Sequence, residues 1–512
     1  MYFRQLCILI GGLLLLSPAA AHAEWHRATS THFVIYADQH PDKVRDLATR
    51  LERFDKAVRL LRKAQDYPPA EGNKVTIFVV EDLKGLRRLI GVGGGIAGLY
   101  EGRASGPIAI VPRTTGTGLK GEIRPEAVFF HEYAHHLMLQ DINYPMPQWL
   151  SEGFAEFMGA ARFTEDGGIG LGLVPRHREY GLKQAVEVPL DQLLTGNYTR
   201  LHHDQVENLY ARGWLLYHYL NFEPSRRGQI DKYLKGLGAG LEPLQATYNA
   251  FGDLKKLEKE LTSYGARPKL HYIQLPAGHL QIRPVAVTPL SVAEAKIFPI
   301  YMQSKVGVTD KTAGPLATKA RAIAQYYPTD PFVQVTLAET ELDAKNFDAA
   351  EAAASRALQA NPRSVEAMIF KGRAIMERAA ANKLPASAWD EARRWFMAAN
   401  KVETEDPEPL MLFHQSFERQ GVAPTPNAAS ALHYALALSP QDADLRLKSA
   451  VQHIRNGKGP QARRTLMPIA WHPHRKGAAA TARELIKLLN AGKTSEALVL
   501  AAKQPEKEAE ED

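Results

Sequence analysis

At 512 residues, with 45% hydrophobic and 23% charged residues, the chain has an ordinary globular composition and is too long for one core; two or three domains are expected. The formal net charge of +7 is diffuse, with no basic block and no basic stripe interleaved with aromatics, which argues against a nucleic-acid footprint. Beyond the N-terminal segment no stretch is long and apolar enough to span a bilayer, so no integral membrane segment is expected in the mature chain.

The chain opens with Arg4, an apolar run from Leu6 to Leu16, Ser17-Pro18 and Ala21-His22-Ala23. That is the three-part layout of a secretory signal peptide over residues 1–23, with cleavage expected after Ala23. The sole cysteine, Cys7, lies inside this segment, so the mature chain would have no disulfide. An exported protein without disulfides suits a bacterial periplasm, and a periplasmic or secreted location is expected.

A strand is expected over Thr31–Tyr36, then an amphipathic helix from Pro41 to Ala64 with Val44, Leu47, Leu51, Phe54, Val58 and Leu61 on one stripe. A second strand follows over Lys74–Val80 and a short helix over Asp82–Ile90. The glycine-rich stretch Gly91 to Gly98 lacks a Lys-Ser/Thr ending and dinucleotide spacing, and reads as a turn rather than a phosphate cradle. A third strand, Pro107–Pro112, leads toward the next helix, and it could border a cleft and pair with an extended peptide.

That helix carries His131-Glu132-Tyr133-Ala134-His135. Residues four apart share a helix face, so two neutral imidazoles can grip one Zn²⁺ with Glu132 beside a zinc-activated water. Pro125 and Glu126 suit its first turn. The plain alternative is a core helix that happens to carry two histidines. A further helix begins near Pro147 and includes Trp149-Leu150-Ser151-Glu152-Gly153-Phe154-Ala155-Glu156. Glu152 and Glu156 also share a face. One carboxylate would complete a His₂Glu site and the other could accept the second ring N–H of a ligand histidine, whereas a solvated acidic edge is the usual fate of such a pair. Trp149, Phe157, Gly153 and Ala160 are expected to pack against the first helix.

His131-Glu132-x-x-His135 followed by Trp149-Leu150-Ser151-Glu152-Gly153-x-x-Glu156 resembles the gluzincin metallopeptidases, the aminopeptidase and thermolysin types among them. The resemblance implies that Glu152 is the third zinc ligand and that Glu156 orients a ligand histidine. Tyr210-Ala211-Arg212-Gly213 is similar to the Tyr-x-x-Gly helix of the aminopeptidase type, which implies that Tyr210 stabilises the oxyanion; a core tyrosine is the alternative. The likeness covers roughly Gly106 to Leu220 and is closest to peptidase-MA-like secreted domains. No Gly-x-Met-Glu-Asn segment occurs between Gly91 and Pro125, which argues against an obligate aminopeptidase. Asp141 stands where a metzincin-type pattern would put its last ligand, with Met146 nearby. That pattern needs a glycine at the position of Met138 for the chain to turn off the helix, so Glu152 is preferred.

Helices are expected over Leu190–Leu194, Asn208–Phe222, Gly228–Leu237 and Leu254–Tyr264, completing a domain over residues 24–267. His202 and His203, in the loop before Tyr210, are left without a role. Leu270–Leu275 and Leu280–Val285 read as a hairpin around Pro276–His279, within a linker over residues 268–312. Residues 313–500 are Ala/Leu-rich, and Pro328, Pro362, Pro407, Pro440 and Pro473 each end a helical stretch at intervals of 34, 45, 33 and 33 residues. The long interval holds an insertion from Ala379 to Ala386. Phe347 to Pro362 resembles the second helix of a tetratricopeptide repeat, implying a helix-turn-helix solenoid with a protein-binding groove; an irregular bundle is the alternative. An acidic, disordered tail is expected over residues 501–512.

The expected fold is an α+β zincin-like catalytic domain followed by an all-α tetratricopeptide-type solenoid. The expected function is an exported zinc metallopeptidase acting on protein or peptide, an endopeptidase for want of the amine-binding segment. Its site would comprise His131, His135 and Glu152 as ligands, Glu132 and Tyr210 as catalytic groups and Glu156 behind them. The competing expectation is a periplasmic scaffold or chaperone with a vestigial or structural zinc site.

Overall fold

The computed structural model describes residues 24–91, 97–114, 124–140, 145–195, 201–470 and 476–502. The expected signal segment with Cys7, most of the glycine-rich turn, Asp141, Pro473 and the acidic tail from residue 503 lie outside them.

The chain begins with β1 (Trp25–Thr29), β2 (Phe33–Asp38), α1 (Pro41–Arg62), β3 (Val75–Asp82), α2 (Leu83–Ile90), β4 (Leu99–Glu101) and β5 (Ile108–Thr114). Then come α3 (Pro125–Gln140), α4 (Gln148–Gly159), β6 (Arg162–Phe163), β7 (Ile169–Leu171), α5 (Glu179–Lys183), α6 (Leu190–Thr195) and α7 (His203–Phe222). The series continues through α8 (Gln229–Gly238), α9 (Pro243–Phe251), α10 (Leu254–Gly265), β8 (Ile273–Leu275) and β9 (Ala286–Pro289). A mixed sheet runs β4-β5-β3-β2-β1-β9, with β2, β3 and β5 parallel and the outer strands antiparallel; β6, β7 and β8 form a small second sheet.

The three parallel strands are apolar on both faces because both are covered, as parallel sheets require. Alternate residues Phe33, Ile35, Val75, Ile77 and Ala109 join one core with α1 and α3. Their neighbours Tyr36, Phe78, Val80, Ile108 and Ile110 join another with Leu86 of α2 and with Phe298 and Tyr301. On the first side Phe54 of α1 stacks on Phe130 of α3 at 4.0 Å between centroids.

Two expectations are corrected. The third strand is not free to pair with a peptide: β5 has β3 on one side and β4 on the other, and β4 is the edge. The expected hairpin does not form either. Ile273–Leu275 pairs with β7, residues 277–279 form a 3₁₀ turn, and Ala286–Pro289 pairs with β1. Turn residues between two apolar runs predict a reversal but not which edges are open to receive the runs.

The remainder is helical: α11 (Val292–Val306), α12 (Asp310–Ala324), α13 (Pro331–Asp343), α14 (Phe347–Ala360), α15 (Val365–Asn382) and α16 (Ala386–Val402). It continues with α17 (Pro407–Gln420), α18 (Pro426–Leu438), α19 (Ala443–Arg455), α20 (Gly459–Leu466), α21 (Lys476–Asn490) and α22 (Thr494–Ala502). Consecutive helices pack on each other, and α11, α13, α15 and α17 also touch in series. Small buried residues permit the close approach: Ala350, Ala353, Ala354 and Ala357 all lie inside α14's contact face. Asp330, Ser364, Asp406, Thr425 and Asp442 cap α13, α15, α17, α18 and α19 through their side chains. Pro328, Pro362 and Pro440 follow helix ends as expected, whereas Pro407 occupies the first turn of α17 and starts a helix, a position where its missing N–H costs nothing.

The array folds back on the sheet domain. Asp442 accepts the Ala104 N–H at 2.8 Å, Asn73 donates to the Leu438 carbonyl at 2.6 Å, and Arg463 donates to the Gly238 carbonyl at 3.2 Å. Among the described residues no helix is long and apolar enough to cross a membrane.

Candidate metal centre

Three helices meet at the site, and glycine decides how closely. A Cβ at Gly153 of α4 would fall within the Gly213 carbonyl of α7, and one at Gly213 would lie 2.9 Å from the Trp149 carbonyl. Backbone therefore touches backbone where α4 crosses α7. Gly159 plays the same part toward α3, where a Cβ would meet the Ala127 carbonyl at 3.1 Å and His131 Cβ at 3.2 Å. Gly153 thus faces α7 rather than the first helix, which corrects that detail of the sequence reading.

On this frame His131 and His135, one turn apart on α3, bring their Nε2 atoms within 3.3 Å of each other. Glu152 of α4, fully buried, sets Oε2 3.2 Å from His131 Nε2 and 3.6 Å from His135 Nε2. A tetrahedral ion with bonds of ~2.0–2.1 Å has ligand–ligand edges of about 3.3 Å, so this triangle matches the ligand set of zinc. Two imidazoles and one carboxylate within reach of one another are a donor set that could hold a metal ion.

The far side of each imidazole is held. His131 Nδ1 lies 3.4 Å from Glu156 Oε1, and His135 Nδ1 lies 3.2 Å from Ser151 Oγ. Such outer partners fix ring orientation and tautomer. Burial opposes ionisation of Glu156, yet the charge of Arg178 and the hydrogen bonds from His131 and His177 hold its carboxyl well below the usual range. His177 Nε2 donates to Glu156 Oε2 at 3.1 Å, and Arg178 donates to Oε1 through Nε at 3.0 Å and Nη2 at 2.8 Å.

Tyr210, on α7, has its ring centroid 6.4 Å from that of His131. The carboxylate of Glu152 first, then burial, with Glu132 and Glu156 adding, pushes its phenol well above the ordinary value, so it stays a protonated donor. Glu132 is part-buried and near enough to act on both Tyr210 and Tyr100. Of the six residues singled out from the sequence, His131, His135 and Glu152 form one close group, with Glu156 against His131 and the Tyr210 ring beside it.

Other groups are not. His136 is buried, stacks on Tyr133 at 5.1 Å and is held by Tyr100 and Gln140; burial lowers it to about 3, with Arg59 and His32 adding, so it is a neutral packing histidine. His202 is exposed at the N-terminus of α7. Ser151, His177, Arg178 and Tyr100 were missed by the sequence reading. The visible signal for two of them is the dense basic run Arg176-His177-Arg178 after Pro175.

A second group, His32, Asp55 and Asp66, also has metal-ligand types close together. It is already satisfied internally. Asp55 takes both oxygens of a buried pair with Arg59 and a hydrogen bond from Tyr133, and His32 spans Glu52 at 2.8 Å and Asp66 at 3.0 Å. With an arginine and an imidazolium supplying the positive charge, it reads as a structural network behind α3.

No protein-family model matches the chain, and no curated protein matches it in sequence.

Proposed function

We propose that the chain is an exported zinc metallopeptidase of the gluzincin kind, a zincin-like catalytic unit followed by a tetratricopeptide-type array. The observation that carries the reading is the convergence of His131 Nε2, His135 Nε2 and Glu152 Oε2 at 3.2–3.6 Å from one another, with Glu132 and Tyr210 alongside. A zinc ion held there would polarise a scissile carbonyl and bring the pKa of water to about 7. Glu132 takes the proton of the attacking water and returns it to the leaving amine. Tyr210, kept protonated by the surrounding carboxylates, donates to the oxygen that gathers negative charge. Glu156 and Ser151 keep the two imidazoles in the ligating tautomer.

The substrate class is unfolded or extended protein, cleaved internally, since no Gly-x-Met-Glu-Asn segment stands between Gly91 and Pro125. The array would present substrate or dock the enzyme on a protein partner. The test is Glu132→Gln. Zinc content should stay near one per chain while cleavage of a casein-type substrate falls by about 10³-fold, at the upper part of the range for lost proton transfer. Full activity in that variant would sink the mechanism. Zinc bound by the wild type with no cleavage of any substrate in a broad panel would favour the scaffold instead.

A further inference from the structure

Arg178 reaches the site from a 3₁₀ turn (Arg176–Arg178) that belongs to neither metal-bearing helix. One edge of its guanidinium, Nε and Nη2, holds Glu156 Oε1 on α4. The remaining nitrogen, Nη1, donates to Glu207 Oε2 on α7 at 2.9 Å. The guanidinium carbon lies over the Tyr210 ring, 4.6 Å from its centroid. Glu207 and Tyr210 are three apart on α7 and share a face, so the guanidinium lies across that face. Its side chain is 15% exposed against 2% for Glu156, so the pair is shielded from screening.

We infer that Arg178 is a positioning residue whose single guanidinium fixes both the imidazole of His131, through Glu156, and the hydroxyl of Tyr210, through its ring. The inference rests on the proposed roles of His131 as a ligand and Tyr210 as the oxyanion donor. Two demands meet in one group. Glu156 Oε1 faces His131 Nδ1 at 3.4 Å, and two guanidinium nitrogens hold that same oxygen, so the carboxylate is kept from turning away from the imidazole. The Tyr210 ring lies against the same guanidinium, which limits how the ring can swing and so where its hydroxyl points. Lysine could supply the charge but neither the fork nor the stacking face, so the side chain required is arginine.

The experiment uses the full chain and the variants Arg178→Gln, Arg178→Lys and Tyr210→Phe. Arg178→Gln should weaken zinc affinity by about 10–100-fold, as loss of an orienting partner does elsewhere, and should alter the visible absorption of the Co²⁺-substituted protein. At saturating zinc its kcat on an extended peptide should fall by about 10-fold, with KM changed less than about 3-fold, because the loss is confined to the transition state. In the Tyr210→Phe background the same change should cost less than about 3-fold at saturating zinc, since the group it positions is gone. Arg178→Lys should keep zinc affinity within about 3-fold yet lose the same kcat, which also covers a failure of the glutamine variant to fold. Unchanged zinc affinity and Co²⁺ spectrum in Arg178→Gln would overturn the inference, as would additivity with Tyr210→Phe or wild-type kcat in Arg178→Lys. If the wild type cleaves nothing, the peptidase reading alone fails, and the zinc affinity and Co²⁺ spectrum still decide whether Arg178 sets the His131 side of the site.

Discussion

Behind α3, His32 shows how a buried charge can be a structural device rather than a ligand. Burial alone would lower its pKa, but Asp55, Asp66 and Glu52 outweigh that and lift it to about 10. A raised imidazole pKa means that the native state holds a proton the unfolded chain releases above about 6.5. Its stabilisation is therefore complete below that pH and disappears as the pH climbs through about 10. Replacing His32 by Gln strands Glu52 and Asp55, and breaking such a buried pair costs about 3–5 kcal/mol. Thermal melts at pH 6 and pH 10 check this: the gap between wild type and His32→Gln should be wide at pH 6 and nearly closed at pH 10. A constant gap would mean that the imidazole is held neutral. At this scale much of the site was legible, because His131, Glu132, His135, Glu152 and Glu156 are fixed by helix periodicity within two short segments. Ser151 was not: the reading paired a histidine with a carboxylate and left the second imidazole without an anchor.

At the scale of elements, the site depends on how closely α4 can approach α7. Gly213 occupies the last place of Tyr210-Ala211-Arg212-Gly213, and the structure gives that glycine a physical reason, since its missing side chain admits the backbone of α4. Gly153→Ala must separate two helices that touch backbone to backbone, moving Glu152 relative to Tyr210. Alanine favours a helix over glycine by ~1 kcal/mol, yet overpacking a core costs about 1–3 kcal/mol, and the clash is with a carbonyl that cannot swing aside. The expected outcome is a net destabilisation of about 1–2 kcal/mol by chemical denaturation and a loss of zinc affinity, with Gly159→Ala giving a milder version. A more stable variant with unchanged zinc binding would show that the crossing has slack. Helices were read well because each carries its own period, and α1, α3 and α4 begin within a residue or so of where the pattern put them. Strands were read less well. β1 and β4 are short pieces beside neighbours β2 and β5, and β9 (Ala286–Pro289) pairs with His26–Thr29 of β1 from far along the chain. No local pattern announces such a partner.

At the scale of the molecule, the array and the sheet domain are one packed body rather than two units on a linker. Phe298 of α11, in the segment expected to be a connector, sits 4.5 Å from Trp25 and 4.8 Å from Tyr36 between ring centroids and covers one face of the sheet. Farther along, Asp406 caps α17 by accepting the Glu408 N–H at 2.9 Å, while its Oδ2 takes the space that a Cβ on Gly72, just before β3, would need. This seam is acid-stabilised. Burial, with Glu408 adding, raises the Asp406 carboxyl from 3.8 to about 7. A raised carboxyl pKa means that between those two values the native state binds the proton more tightly than the unfolded chain, so stability falls as pH rises through that window and stays reduced above it. The shift of about three units bounds the effect at about 4 kcal/mol. Asparagine keeps the capping oxygen, since it caps helices about as well as aspartate, and it has no charge to bury. Asp406→Asn should therefore match the wild type at pH 4 and melt several degrees higher at pH 8, with proteolytic nicking near residues 71–73 or 403–406 reduced at the higher pH. If the variant is instead less stable at pH 8, the carboxylate is ionised and paired in the native protein, and the closeness of the array to the sheet at this seam does not come at an electrostatic cost.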